Sequence, residues 1–115
     1  MSLENIISIL LPVGLSEYFE ITDIVKTSES YLIHLEERNI PPEKYNSQKL
    51  ISKGFFEPIV IQDFPLRGKP CFLQVKRRRW TIEQTGEIVH RDWDVVAQGT
   101  RITKEFASFL KAINR

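Results

Sequence analysis

The sequence predicts an α+β fold: a short N-terminal helix and β-hairpin, then a zinc-less, ribbon-like antiparallel β-meander, then a C-terminal helix. Three observations carry this. Apolar residues recur at helical spacing near both ends, at Leu3, Ile6, Ile7 and Leu10 and again at Ile102, Phe106, Phe109, Leu110 and Ile113. Between them, side chains alternate as strands require, with Tyr31, Ile33 and Leu35 set against Leu32, His34 and Glu36. Turn-forming clusters punctuate the alternation, at Lys26-Thr27-Ser28-Glu29, at Pro65 to Gly68 and at Gln84-Thr85-Gly86.

Each element follows in order. Ser2 is placed to cap the first helix, and Pro12 disfavours its continuation. Strands are predicted over Phe19 to Val25 and Ser30 to Glu37, with the polar turn between them. Asn39 to Gln48, with Pro41-Pro42, reads as a linker. Beyond it come strands over Phe55 to Ile61, Pro70 to Ile82 and Ile88 to Val96. Thr100 or Thr103 caps a final helix whose Arg101, Lys104 and Lys111 lie away from its apolar stripe. The organisation is an acidic unit over 1–38, a linker over 39–48 and a basic unit over 49–115, or one compact domain containing both.

Composition narrows the function classes. At 115 residues the chain suits one ordinary soluble domain with a modest core. Its longest apolar run, Ile6 to Val13, is far short of the roughly 20 residues of a membrane span, and no basic segment precedes it as in a signal peptide. The lone Cys71 cannot form an internal disulfide, and with only His34 and His90 beside it there is no spaced zinc ligand set. A reducing cytoplasm is the expected compartment, with no cofactor. Cys71 reads as a small buried residue and the two histidines as surface or packed residues. No Gly-rich phosphate loop or nucleophile triad is present in the sequence.

Charge is divided unevenly. Residues 1–64 hold 5 Lys/Arg against 10 Asp/Glu, a net of −5, whereas residues 65–115 hold 11 against 5, a net of +6. Either the basic half faces a polyanion or the acidic half packs against it. A three-residue loop at Gln84 to Gly86, with Gly86 in the left-handed region, sets Glu83 opposite Glu87, Arg78 opposite Asp92, Lys76 opposite Asp94, Val75 opposite Val95 and Arg79 opposite Arg91. In that register Leu73, Val75, Val89, Trp93 and Val95 form a core face, from which Arg77, Arg79 and Arg91 extend. Arg79 and Arg91 then need an anion: an internal carboxylate such as Glu36, Glu37 or Glu57, or a phosphate, with Trp80 or Trp93 stacked nearby.

The segment Asp63-Phe64-Pro65-x-x-Gly68, then Cys71-Phe72-Leu73-x-Val75, Arg77-Arg78-Arg79-Trp80 and Arg101-Ile102-Thr103-x-x-Phe106, resembles the N-terminal region of bacterial insertion-sequence DDE transposases. The likeness is to the ISAon-type region, a relative of the ISL-three family. It runs over residues 53–115 by motif, and in style it includes Leu11-Pro12, Tyr18-Phe19 and Ile40-Pro41-Pro42. Where that family places zinc-ribbon cysteines, this chain has Thr81-Ile82-Glu83-Gln84-Thr85-Gly86, so packing and the tight turn would replace the metal.

The resemblance implies a non-catalytic module that recognises element-end DNA, and the register and terminal helix offer Arg77, Arg79, Arg91, Trp80, Arg101, Lys104 and Lys111 as its contacts. The chain is too short to hold the family's catalytic carboxylate domain as well. That domain is expected on another polypeptide or a frameshift extension. The alternative is a protein-interaction or dimerisation module that docks on the separate catalytic chain.

Overall fold

The computed structural model describes residues 2–94 and 100–113, and it is α+β as the periodicities predict. Helix α1 spans Leu3–Leu10, and the Ser2 hydroxyl accepts the Asn5 N–H at 3.2 Å to cap it. Leu11 is extended, as a residue before proline prefers, and this ends the helix. No α1 side chain is buried. Ile7 packs partly buried against the first core, which the chain enters fully with Leu11 and Leu15.

Strands β1 (Phe19–Lys26) and β2 (Tyr31–Glu37) form the expected hairpin. Its turn is tied by the Thr27 hydroxyl, which accepts the N–H groups of Glu29 and Ser30 at 3.2 and 3.0 Å. The next strands are β3 (Leu50–Phe55), β4 (Ile59–Leu66), β5 (Lys69–Lys76), β6 (Arg78–Ile82) and β7 (Ile88–His90). They divide between a four-stranded sheet of order β1-β2-β5-β4 and a three-stranded sheet of order β3-β6-β7.

The larger sheet is mixed rather than a pure antiparallel meander, because β2 and β5 run parallel with Ile33 opposite Leu73 and Leu35 opposite Val75. One face of it buries Phe19, Ile33, Leu35, Ile61, Cys71, Leu73 and Val75 beneath Leu11 and Leu15. Strands from both sides of the 39–48 segment thus share one core. That segment does not run free. Pro42 is buried, Glu43–Tyr45 form a 3-10 turn, and Tyr45 packs with Leu50 on the second core of Trp80, Ile82 and Val89.

Three strand predictions need correction. The run Phe55 to Ile61 straddles two strands in different sheets, β3 and β4. The long strand Pro70 to Ile82 breaks at Arg77, where the Phe56 N–H bonds the Arg77 carbonyl at 2.9 Å and the chain passes from one sheet to the other. The last hairpin is one residue out of the expected register. Ile82 donates to the Glu87 carbonyl at 2.9 Å across a four-residue loop, so Arg79 faces His90 and Trp80 faces Val89. Gly86 is left-handed at φ 76° as expected. A one-residue slip exchanges the faces of a strand. It therefore separates Arg79 from Arg91 and turns Val89 toward Trp80. The strand expected over Ile88 to Val96 ends at His90, residues 91–94 being outside any strand, and Val75 lies between Leu35 and Ile59; Val95 and Val96 are outside the described residues.

Helix α2 (Lys104–Ile113) lies beside β4, with the Phe64 ring 5.2 Å from Phe106 and 5.5 Å from Phe109. Thr103 caps it, its hydroxyl donating to the buried Asp63 carboxylate at 2.8 Å and accepting the Phe106 N–H at 3.4 Å. Of the two expected caps, the buried one serves.

The β4–β5 turn has two residues, Arg67 and Gly68, with φ of 53° and 77°. Such a turn suits Asn-Gly, and a left-handed arginine costs about 1–2 kcal/mol. Arg67→Asn is expected to stabilise the protein by about 0.5–1 kcal/mol, whereas Gly68→Ala, which meets no clash but keeps the strained φ, should destabilise it by about 1 kcal/mol. Urea denaturation of both variants checks the pair, and effects of the same sign would contradict the turn geometry.

Candidate nucleic-acid interface

The cationic run Lys76 to Arg79 crosses the point where the two sheets meet, and the side chains there separate into two groups. The first group turns inward to Glu37, the last residue of β2, which is only 2% exposed. Its Oε1 accepts the Arg78 backbone N–H at 2.9 Å and the Trp93 Nε1–H at 3.4 Å. Its Oε2 lies 3.7 Å from Arg91 Nε, an ion pair too long to be a hydrogen bond. Burial pushes the Glu37 carboxyl above the usual range, against the opposing pull of the Arg78 N–H, Trp93 and Arg91.

Arg91 is also anchored by the Ile40 carbonyl at 2.7 Å and lies 4.1 Å over the Tyr18 ring. Arg78 donates to the Glu37 carbonyl at 3.1 Å and to the Ser52 hydroxyl at 2.6 Å, and its guanidinium rests 4.5 Å from the Phe55 ring centroid. Trp80 is fully buried, its indole N–H donating to Asn39 at 2.9 Å. Trp80 is core rather than platform.

The expected pairs of Arg78 with Asp92 and Lys76 with Asp94 are replaced by others. Asp92 pairs with Lys44 at 3.0 Å, Asp94 with Lys104 at 2.6 Å, and Lys76 lies 4.0 Å from Glu36. The cause is the one-residue register shift together with the break at Arg77, which carry these side chains away from one another. The internal carboxylate weighed for Arg91 is thus Glu37.

The other two arginines part company: Arg79 lies on the outer face of β6, whereas Arg77 lines the cavity bounded by Leu15, Phe19, Ile59, Ile61, Val75 and Trp93, with its Nε buried and without a hydrogen-bond partner among the described residues. Arg77 and Arg79 lie 5.2 and 5.9 Å from the centroid of Phe56, and Arg79 Nε donates to the Lys53 carbonyl at 3.2 Å. Among the described residues, neither guanidinium has a carboxylate partner within ion-pair distance. Phe56 also meets the His90 ring edge-to-face, with centroids 5.6 Å apart. The β3-β6-β7 register then extends this patch along the sheet, with Arg79 beside His90 and Ile51, Thr81 and Ile88 in the next row. Ile51 and Ile88 are 47% and 51% exposed. The result is an open sheet face that mixes arginine, aromatic and aliphatic side chains.

The remaining expected contacts are not brought to this face. Arg101 is exposed, and its backbone carbonyl accepts the Gln62 N–H at 2.7 Å alongside β4. Lys104 spends its charge on Asp94, and Lys111 is exposed in the last turn of α2. Sequence reasoning missed Phe56, Lys53 and His90. The adjacent Phe55-Phe56 pair was the available signal, since two neighbouring aromatics in extended chain place rings on opposite sides, one for each half of the arginine run.

Cys71 is buried, and burial with the nearby Asp63 carboxylate pushes its thiol up to about 11, so it is inert as a nucleophile at neutral pH. No described helix is long and apolar enough to cross a membrane. Among the described residues, no three His, Cys, Asp or Glu side chains converge as a metal site would require. The fold and face define a small two-sheet α+β protein with an open basic and aromatic surface. No family model matches the chain, and neither does any curated protein or solved structure.

The buried carboxyl has a consequence for pH. Because Glu37 holds its proton more tightly folded than unfolded, its contribution to stability is full below its unfolded value and is lost as pH rises through the folded one. In urea denaturation, wild type is expected to lose stability relative to Glu37→Gln as pH is raised from about 4 to about 7. A difference that stays flat, or moves the other way, would contradict an ionised and desolvated Glu37.

Proposed function

We propose that this chain is a non-catalytic nucleic-acid-binding module of an insertion-sequence transposition system, working in the cytoplasm at element-end DNA. The catalytic carboxylate domain belongs to a separate polypeptide or a frameshift extension. The observation that carries the reading is the Arg77–Phe56–Arg79 arrangement: two guanidiniums on one ring, without a carboxylate partner among the described residues, Arg79 on the open sheet face and Arg77 reaching the ring from the cavity beside Val75. Guanidinium donates in a planar fork that matches phosphate oxygens, and an aromatic beneath it fixes its plane. The transposase link rests on the resemblance of the Asp63 to Trp80 and Arg101 to Phe106 motifs.

A second reading, a protein-interaction or dimerisation module docking on the catalytic chain, is favoured by the exposed apolar residues of the helices and the segment after α1: Leu3, Ile9, Val13, Phe109 and Ile113. Co-purification with a co-expressed catalytic chain tests it.

For the preferred reading, Arg77→Ala and Arg79→Ala are each expected to weaken binding to element-end DNA, and Arg79→Ala to reduce the log–log salt slope by roughly one phosphate equivalent. Arg91→Ala should instead act on stability, since its charge lies against Glu37. Titrations at several salt concentrations separate these effects. An unchanged slope for Arg79→Ala would remove the face as the contact surface.

A further inference from the structure

The three-stranded sheet has one closed face and one open face, and the chemistry of the open one specifies what kind of nucleic acid fits. Trp80, Ile82 and Val89 occupy the closed side beneath Tyr45 and Leu50. On the open side, strands about 4.8 Å apart and same-face residues about 6.6 Å apart along each strand make a low, nearly planar grid. Ile51 and Ile88 flank Thr81 in one row, Arg79 and His90 make the next, and Phe56 with Arg77 lies at its end.

Duplex DNA would meet this grid poorly. Reading a major groove about 12 Å wide takes a projecting helix or two-stranded ribbon, and here the basic residues sit on the sheet rather than on such a projection. Against a flat face a duplex presents phosphates and sugars, which would leave Ile51, Ile88 and Phe56 dehydrated against polar oxygen. An unpaired strand offers both chemistries at once. Its base faces are apolar and stack on aromatic rings, aliphatic side chains or guanidinium planes, while its phosphates remain free to reach cations at the rim.

We propose that the outer face of the β3-β6-β7 sheet binds single-stranded nucleic acid, holding unpaired bases against Phe56, His90, Ile51 and Ile88 while Arg79 and Lys53 take the phosphates and Arg77 backs the Phe56 ring from the cavity behind it. The inference rests on the nucleic-acid reading above and specifies its strandedness. Phe56 is the central contact, because it joins the His90 ring to both guanidiniums. Such a strand would be exposed at an element end whose terminal base pairs have opened.

The test is fluorescence anisotropy on the whole chain, using a labelled single strand of about 15 nucleotides and the duplex of the same sequence at the same salt. The single strand is expected to bind at least about tenfold more tightly, because stacking adds to a phosphate contribution that both ligands share. Phe56→Leu keeps bulk but removes the ring, and should weaken single-strand binding about fivefold or more while leaving duplex binding nearly unchanged. Ile88→Thr, at an exposed strand position, gives a second variant should Phe56→Leu fail to fold. It should weaken the single strand roughly threefold by removing apolar contact. A duplex bound as tightly as the single strand, or folded variants with unchanged single-strand affinity, would overturn the inference and leave the nucleic-acid reading standing. Failure of both ligands to bind at low salt would overturn the two together.

Discussion

The burial of Glu37 is the constraint around which the rest is arranged. A carboxylate taken out of water costs several kcal/mol unless hydrogen bonds and an opposite charge replace the hydration. Here the replacements come from distant parts of the chain: the Arg78 N–H, the Trp93 indole and the Arg91 guanidinium. Arg91 in turn holds the Ile40 carbonyl, and Arg78 holds Ser52 of β3. One side chain therefore links β2 of the larger sheet to β6 of the smaller one, and both to the 39–48 segment that covers the second core.

The same group explains why the strand breaks where it does. An N–H committed to a side-chain carboxylate is not available to a strand ladder, so β5 cannot simply continue through Arg78. Beyond the break, the inward-facing residues change phase. Cys71, Leu73 and Val75 are the buried set before it, and Trp80 and Ile82 are the buried set after it. Arg77 sits at the crossing, which is how one arginine run supplies Arg78 to Glu37, Arg77 to the cavity beside Val75 and Trp93, and Arg79 to the outer face of the smaller sheet.

That phase change was present in the sequence, yet reading Pro70 to Ile82 as a single strand hid it. Legible from local pattern were both helices, the first hairpin, the left-handed Gly86 and the Thr103 cap, because each depends on neighbours within a few residues. The parallel pairing of β2 with β5 was not, since it joins residues about forty positions apart. Strand β3 was missed for a different reason: Lys53 and a left-handed Gly54 interrupt its alternation. The last hairpin differed by one loop residue, enough to exchange faces. Consequently the arginine run was legible in the sequence, but not its division among Glu37, the cavity beside Val75 and the outer face, nor the Phe56 ring that Arg77 and Arg79 share.

The distribution of charge leads to a further step about how such a face would act. The halves of the chain carry −5 and +6, but they interleave: acidic β1 and β2 lie in one sheet with β5, and Glu36, Glu37, Asp92 and Asp94 take Lys76, Arg91, Lys44 and Lys104. Pairing of this kind leaves little long-range field, and what remains is screened within about 8–10 Å at physiological salt. A polyanion would therefore be attracted only weakly from a distance. Affinity at the open face would have to come from contact, with two or three cations setting a shallow salt dependence and Phe56, Ile51 and Ile88 supplying the apolar part. A strongly basic surface would hold any duplex it met. A nearly neutral one with a small aromatic and arginine patch discriminates by whether its ligand has bases to offer.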